Sequence, residues 1–152
     1  FTKPVFFMLL ISLIDIYFNT MNIKSSKELV DKANELIKVM SPEQVKNAYD
    51  KGEVTLIDVR DIRELWKEGT IKNAIHIPRG MLEFWLDPQS SYYQEKKIGD
   101  IKNIVLFCAL GFRSALATKA LKEMGFDNVA NANGGFDSLK KAGLPVVVKE
   151  KK

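Results

Sequence analysis

Cysteine and histidine are nearly absent from this chain, which has one residue of each type among 152. A lone cysteine leaves no internal disulfide and no Cys-x-x-Cys redox pair, and one histidine beside it leaves no zinc cluster of these residues. We therefore expect no metal site. Cys108 is the one thiol that the sequence offers.

Runs of basic residues are also missing. The formal net charge is +4 at pH 7, and Lys149, Lys151 and Lys152 at the end of the chain contribute to it. No arginine run and no basic stretch with interleaved aromatics is present, so we expect no nucleic-acid partner. Apolar residues make up 46% and charged residues 28%, which is typical of one ordinary globular domain.

Residues 1–20 form an apolar segment that differs from the rest of the chain. Residues 4–14 are almost continuously apolar, and Asp15 interrupts the run. The run is shorter than the roughly 20 residues of a membrane-spanning helix, and no small-residue cleavage motif follows it. Three interpretations stay open: an anchor or uncleaved export signal through residues 5–18, a non-native extension, and a packed helix. Membrane association is expected only through this segment, and otherwise we expect a cytoplasmic protein.

Residues 21–40 have the pattern of an amphipathic helix. Ser25 and Glu28 have the spacing of a capping box. Apolar residues recur on one face, at Leu29, Ala33, Leu36, Ile37 and Met40. A new helix is predicted after Ser41, with Pro42 at its first position, and we place the main domain at 41–152.

Short apolar runs alternate with helical stretches through the main domain. Strands are predicted over residues 55–59, 74–77, 103–107 and 128–132. Helices are predicted over residues 62–68, 81–86, 113–124 and 136–142. Hairpin signals are missing between them, so the sequence predicts an α/β fold with a mostly parallel central sheet and helices on both faces.

The most informative stretch surrounds the cysteine. Residues 104–107 form a strongly apolar strand, Cys108 follows directly, and a helix begins a few residues later. Ligands of open α/β sheets bind beyond the carboxyl ends of the strands, which is where this order places the sulfur. Backbone N–H groups of the loop and the positive end of the helix dipole favour a nucleophilic thiolate.

The side chains of this loop supply candidate binding groups. Gly111 allows close approach of the backbone, Arg113 offers a planar cation for an anionic substrate, and Ser114 caps the helix and donates toward the sulfur. The exposed neighbour Phe112 is a candidate apolar lip. The candidate active-site loop is Ala109, Leu110, Gly111, Phe112, Arg113 and Ser114. The alternative is a buried core cysteine with Arg113 in solvent.

Four motifs in order resemble the rhodanese-like domain of single-domain sulfurtransferases. They are residues 56–60 with Glu64, residues 69–78, the cysteine loop, and residues 134–136 with 143–146. The resemblance covers roughly residues 41–148. It implies a single rhodanese-like domain in which Cys108 is the catalytic residue.

The resemblance also implies a reaction. A sulfane sulfur would move from a small anionic donor such as thiosulfate, through a persulfide on Cys108, to a thiol, cyanide or a protein acceptor, without a cofactor. The spacing Cys-x4-Arg is that of sulfur-transferring members, whereas related phosphatases have one more residue in the loop. A phosphatase or arsenate reductase is the weaker alternative. A non-catalytic interaction or sulfur-delivery module is the alternative from another class.

Further polar residues are assigned supporting or structural roles. By resemblance, Asp58 orders the loops beside the site, and Asp58 with Arg60 otherwise forms a buried ion pair that supports the fold. Glu64 lies four residues after Arg60, which predicts a pair between them on the helix face. His76 is expected to be a hydrogen-bonded polar residue of the core.

Two positions depart from the family pattern. Thr70 stands where the family often has histidine, and Leu139 replaces a frequent tryptophan in the last helix. Neither position is implied to take part in sulfur chemistry. These departures, and a loop without lysine, leave the identity of the donor open.

Overall fold

The structure is a computed structural model that describes residues 2–98, 101 and 103–152. The elements follow in the order α1 (Thr2–Met21), α2 (Ser26–Leu36), β1 (Lys38–Met40), α3 (Pro42–Asp50), β2 (Thr55–Asp58), α4 (Ile62–Glu68), β3 (Thr70–Ile71), β4 (Ile75–His76), η1 (Arg79–Met81), α5 (Leu82–Leu86), α6 (Glu95–Ile98), β5 (Ile104–Phe107), α7 (Phe112–Glu123), β6 (Val129–Ala132), α8 (Gly135–Lys141) and β7 (Val146–Val147). The element η1 is a short 3-10 helix.

Five parallel strands form the central sheet in the order β1-β6-β5-β2-β4. β5 lies in the middle, with β6 on one side and β2 on the other. All four residues of β5 are buried, which explains why its sequence is apolar without alternation. The predicted α/β class with a mostly parallel sheet is confirmed.

Helices cover both faces of the sheet. Ile104 and Leu106 of β5 point to one face, where they pack with α5, α6 and α7. Val105 and Phe107 point to the other face, where they pack with α3 and α8. Because successive strand residues alternate between faces, β5 contributes to both cores, and Cys108 packs in the same core as Ile104 and Leu106.

Polar caps begin several helices at the predicted residues. The Ser25 hydroxyl accepts the Glu28 N–H at the start of α2. Ser41 and Gln44 form a reciprocal capping box at the start of α3, with Pro42 in its first turn. Each cap satisfies N–H groups that the first turn of a helix leaves without a backbone partner.

The predicted helix over residues 21–40 is wrong at its end. α2 ends at Leu36, and residues 38–40 form β1, which pairs with β6 from Lys38↔Ala130 onward. The buried face of α2 consists of Val30 and Ala33, which pack against Ala115 of α7. The sheet therefore begins before residue 41, and a main domain of 41–152 would omit its edge strand.

A second, two-stranded sheet was not predicted. β3 and β7 pair antiparallel, with Thr70 opposite Val147 and Ile71 opposite Val146. Both strands are two residues long, and such short runs carry no detectable periodicity. This pairing places β7 beside β3, the strand that directly follows α4.

The N-terminal segment forms helix α1. Every side chain from Pro4 to Tyr17 is exposed, including a series of large apolar residues. Among the helices in the described ranges, none is long and apolar enough to cross a membrane. Phe1 lies outside the described residues.

A buried ion pair connects the end of β2 to α4 and β3. Asp58 and Arg60 are both 0% exposed. The Arg60 Nη2 lies 2.8 Å from Asp58 Oδ2 and also donates to the Gly69 carbonyl at 2.8 Å. Thr70 Oγ1 donates to the same Asp58 oxygen at 2.8 Å, so the threonine at the family's histidine position hydrogen-bonds this carboxylate.

The guanidinium of Arg60 also lies against aromatic rings. It is 4.0 Å from the ring centroid of Phe136 and 6.0 Å from that of Phe107. Phe107 directly precedes Cys108 in the chain. The ion pair thus stabilises the packing beneath the cysteine through aromatic contacts.

We expect Arg60→Leu to lower the free energy of unfolding by about 3–5 kcal/mol, because it leaves the buried Asp58 carboxylate without its cation. Urea unfolding followed by circular dichroism would measure this loss. Arg63→Leu is the matched control, since Arg63 is an exposed residue paired with Asp61, and little change is expected there. Equal and small losses in both variants would contradict this role of Arg60.

Candidate active site

Cys108 lies directly beyond the carboxyl end of the central strand β5. Four residues later in the chain, Phe112 begins α7. The cysteine is 1% exposed, and it is the one free thiol of the chain. This position agrees with the placement expected for a ligand site in an open parallel sheet.

Two glycines allow the loop to close around the sulfur. Gly111 has φ +97, which places it in the left-handed region that strongly favours glycine. Gly135 lies beneath the loop, where an added Cβ would stand 2.5 Å from the Cys108 carbonyl oxygen. The Phe136 N–H donates to that carbonyl at 2.7 Å. The motif around Gly135 therefore supports the cysteine loop from below.

Hydrogen-bond donors converge on the sulfur of Cys108. The Gly111 N–H lies 3.2 Å from Sγ, and the N–H and hydroxyl of Ser114 each lie 3.4 Å from it. Burial by itself raises the pKa of the thiol. Hydrogen bonds from the Ser114 hydroxyl and from the N–H groups of Ser114, Gly111 and Leu110 outweigh burial and hold the pKa below its ordinary value.

Asn131 is a site residue that the sequence analysis missed. It is 2% exposed on β6, and its Nδ2 donates to the Gly111 carbonyl at 3.1 Å. Its Oδ1 lies 2.7 Å from the Ser114 hydroxyl, and Nδ2 also lies 3.5 Å from Asn34 of α2. A polar residue within an otherwise apolar buried strand was the available signal, since buried amides require partners.

The Ser114 hydroxyl has one proton and two acceptors within reach. Its contact with Asn131 Oδ1, at 2.7 Å, is shorter than its contact with the sulfur, at 3.4 Å. A charged sulfur is a stronger acceptor than an amide oxygen. We therefore expect the Ser114 hydroxyl proton to turn from Asn131 toward Cys108 when the thiolate forms.

Glu64 binds Arg113, which corrects the predicted pair with Arg60. The two carboxylate oxygens of Glu64 accept Arg113 Nη1 and Nη2 at 2.8 and 2.9 Å. Arg60 instead pairs with Asp58 and with Glu68. Sequence spacing favoured a pair four residues apart, whereas the fold brings together residues 49 positions apart.

The predicted loop residues lie together, whereas the supporting residues Asp58 and Arg60 lie outside the loop. Leu110 is 57% and Phe112 60% exposed, so both present apolar side chains beside the buried sulfur. Ala109 is partly exposed between them and the cysteine. The side-chain hydrogen bonds of Asp58 and Arg60 join them to each other and to residues 68–70. None of these partners belongs to the candidate loop.

His76 is held by the backbone near this region. Its Nε2 donates to the Arg60 carbonyl at 2.8 Å, and the side chain is half-buried. This agrees with its predicted role as a hydrogen-bonded polar residue. Across the described residues, no group of three or more His, Cys, Asp or Glu side chains is arranged to hold a metal ion.

Fold and site together define an α/β protein with one buried cysteine in a loop of converging N–H groups. A family model for the rhodanese-like domain matches residues 41–142, and the chain belongs to that family. The resemblance stated from the motifs is confirmed.

Curated relatives carry out sulfur transfer and RNA modification. A sulfurtransferase of Allochromatium vinosum is 28% identical over 101 residues, which are 66% of this chain and 85% of that protein. A tRNA uridine(34) hydroxylase of Photorhabdus laumondii is 32% identical over 111 residues, which are 70% of this chain. The chain spans 30% of the length of that hydroxylase. At the level of the family, these relatives support sulfur transfer of the rhodanese type.

Solved structures with the same fold include two with more than 30% identity. A protein of unknown function from Rhodopseudomonas palustris, described as a possible tyrosine phosphatase, has TM-score 0.76 and 37% identity, covering 82% of this chain and 95% of that one. The polysulfide-sulfur transferase homodimer of Wolinella succinogenes has TM-score 0.61 and 34% identity, covering 82% and 88%.

We expect Ser114→Ala to raise the pKa of the Cys108 thiol, because it removes a donor that stabilises the thiolate. At a given pH below the pKa, less thiolate is then present, so the midpoint of the alkylation rate against pH moves upward. The measurement is the rate of iodoacetamide labelling between pH 5 and 10, roughly the range that spans shifted and ordinary thiols.

Thr118→Val is the matched control, since Thr118 is a buried hydroxyl of the same helix that donates to the Ser114 carbonyl rather than to the sulfur. Its alkylation midpoint should stay at the wild-type value. A Ser114→Ala midpoint equal to wild type would show that the hydroxyl does not stabilise the thiolate.

Proposed function

We propose that the chain is a sulfurtransferase in which Cys108 carries a sulfane sulfur as a persulfide. The observation that carries this proposal is the convergence of the Gly111 and Ser114 donors on the one thiol of the chain. This set of converging donors stabilises a negative charge on sulfur before transfer. It is also suited to the charged outer sulfur of a persulfide afterwards.

The first step is a displacement at sulfur. The Cys108 thiolate attacks the outer sulfur of the donor, a bond from Sγ to that sulfur forms, and the bond within the donor breaks. With thiosulfate the leaving group is sulfite, which departs with the electron pair of the broken bond. Two negative charges leave with sulfite, and one remains on the persulfide, so charge is conserved.

The second step returns the enzyme to its starting state. A thiolate or cyanide attacks the outer sulfur of the persulfide, and the electron pair returns to Sγ. The chain has no second cysteine to resolve the persulfide. The acceptor must therefore come from outside the chain, as a small thiol, cyanide or a thiol of a partner protein.

The geometry of the loop favours sulfur transfer over phosphoryl transfer. A bound phosphate presents several oxygens, each of which needs hydrogen-bond donors. Here Arg113 is bound to Glu64 through both of its terminal nitrogens, and the loop donors point at Sγ. The phosphatase activity suggested for the R. palustris protein is thus less well supported for this chain.

The test is intact-protein mass spectrometry after incubation with excess sulfane donor, using thiosulfate and benzenethiosulfonate in parallel. The expected result is a gain of one sulfur atom, which is lost when cyanide or a thiol is added. Cys108→Ser is the control and should gain nothing, because a hydroxyl is a far weaker nucleophile than a thiolate.

A wild-type chain that gains no sulfur from either donor would contradict the proposal. It would then favour the alternative of a non-catalytic rhodanese-like module that binds a partner. A gain of sulfur in Cys108→Ser equal to that in wild type would likewise exclude Cys108 as the carrier.

A further inference from the structure

The one cationic side chain of the candidate loop is already paired. Arg113 and Glu64 form a bidentate contact at 2.8 and 2.9 Å, with side chains 44% and 31% exposed. The hydrogen bond from Arg113 lowers the pKa of Glu64, so the carboxylate is charged at neutral pH. Glu64 therefore offsets the charge of Arg113, which also interacts electrostatically with Cys108.

The Glu64 carboxylate is held from a second side. Glu64 is the third residue of α4, and its Oε2 accepts the Asp61 N–H at 3.0 Å in a capping box. Moving the carboxylate away from Arg113 would also break this cap. The local structure therefore favours the paired state of Arg113.

The exposed edge of the candidate loop, here called the rim, is otherwise apolar. Leu110 and Phe112 are more than half exposed beside the sulfur. A groove of about 470 Å³ adjoins the loop and shares Phe112 and Arg113 with it. Its other lining residues belong to the start of α2 and to α7: Ser26, Lys27, Val30, Asp31 and Leu116.

The charges along this groove are also paired. Lys27 Nζ lies 2.5 Å from Asp31 Oδ2, and Arg113 is held by Glu64. Such walls offer apolar contact and no free cation. They suit a ligand with an apolar body, and the groove has the volume typical of small-molecule sites.

A dianionic donor fits this rim poorly. Thiosulfate carries two negative charges and would approach Glu64 without a free guanidinium to bind. A donor with one charge and an apolar substituent meets less repulsion and gains burial on Leu110 and Phe112. The rim therefore favours donors that have a single negative charge and an apolar substituent.

We propose that Glu64 is a positioning residue that sets donor specificity: by holding Arg113, it selects singly charged sulfane donors with an apolar body, namely organic thiosulfonates and hydropersulfides. This inference rests on the proposed persulfide chemistry of Cys108. The apolar body lies over Leu110 and Phe112, toward the groove between α2 and α7.

The transfer balances for both classes of donor. With a thiosulfonate, the Sγ–S bond forms, the bond between the outer sulfur and the sulfonyl sulfur breaks, and a sulfinate leaves with the electron pair. With a hydropersulfide in its anionic form, the Sγ–S bond forms, the bond between the two donor sulfurs breaks, and a thiolate leaves with the electron pair. One negative charge leaves with the thiolate, and one remains on the persulfide. Neither step needs an added oxidant or reductant.

The test compares kcat/KM for three donors that share the same sulfur chemistry. Thiosulfate carries two charges, methanethiosulfonate carries one charge and a small body, and benzenethiosulfonate carries one charge and an aromatic body. Wild type should favour benzenethiosulfonate over methanethiosulfonate, and both over thiosulfate.

In Glu64→Gln, we expect kcat/KM for thiosulfate to rise about tenfold, the scale of one charge interaction at a half-exposed site. The two thiosulfonates should change by less than about threefold. Glutamine keeps the side-chain oxygen that caps α4, so the helix start is retained.

Glu68→Gln is the matched control. It removes the same charge from the same helix, but Glu68 pairs with Arg60 and not with Arg113. Its donor ratios should stay at the wild-type values. An equal rise for all donors in Glu64→Gln, or an equal rise for thiosulfate in Glu68→Gln, would overturn the role of Glu64.

A wild-type preference for thiosulfate, with Cys108 still gaining sulfur, would overturn the donor class. The absence of a persulfide with all three donors would be a different result. It would refute the sulfurtransferase proposal itself, on which this inference depends.

Discussion

The burial of the Cys108 sulfur is the constraint on which the rest of the site depends. Cys108 is almost fully buried, and burial alone penalises its charged form. Three donors within 3.4 Å of Sγ, together with the N-terminal end of α7, offset that penalty. These donors reach the sulfur because β5 ends directly before it and Gly111 turns the backbone in the left-handed region.

The surroundings preserve this geometry through contacts from several elements. Gly135 leaves room for the Cys108 carbonyl, and Asn131 binds the Gly111 carbonyl and the Ser114 hydroxyl. The same asparagine reaches α2, an element that precedes the family-model match at residue 41. Residues outside the matched range thus contribute to the shape of the loop.

Much of this arrangement could be predicted from the sequence. The buried run of β5, the glycine after Cys108 and the capped helices all have local signals. The edge strand β1 was missed because it is only three residues long and Met40 continues the helical apolar pattern of residues 29–37. The pair between Glu64 and Arg113 was missed because it joins distant segments, and a nearer partner for Glu64, Arg60, satisfied the helical spacing. Asn131 required the fold to show which groups surround it.

The loop donors hold the pKa of the Cys108 thiol below its ordinary value, and the proposed chemistry depends on this shift. The most direct measurement is a titration of the ultraviolet absorbance of the thiolate, with Cys108→Ser subtracted to remove the tyrosine signal. Because the chain has one cysteine, the difference reports this sulfur alone. The structure predicts a midpoint below the ordinary thiol value of about 8.5. A midpoint at or above that value would show that burial outweighs the donors, and it would contradict the account.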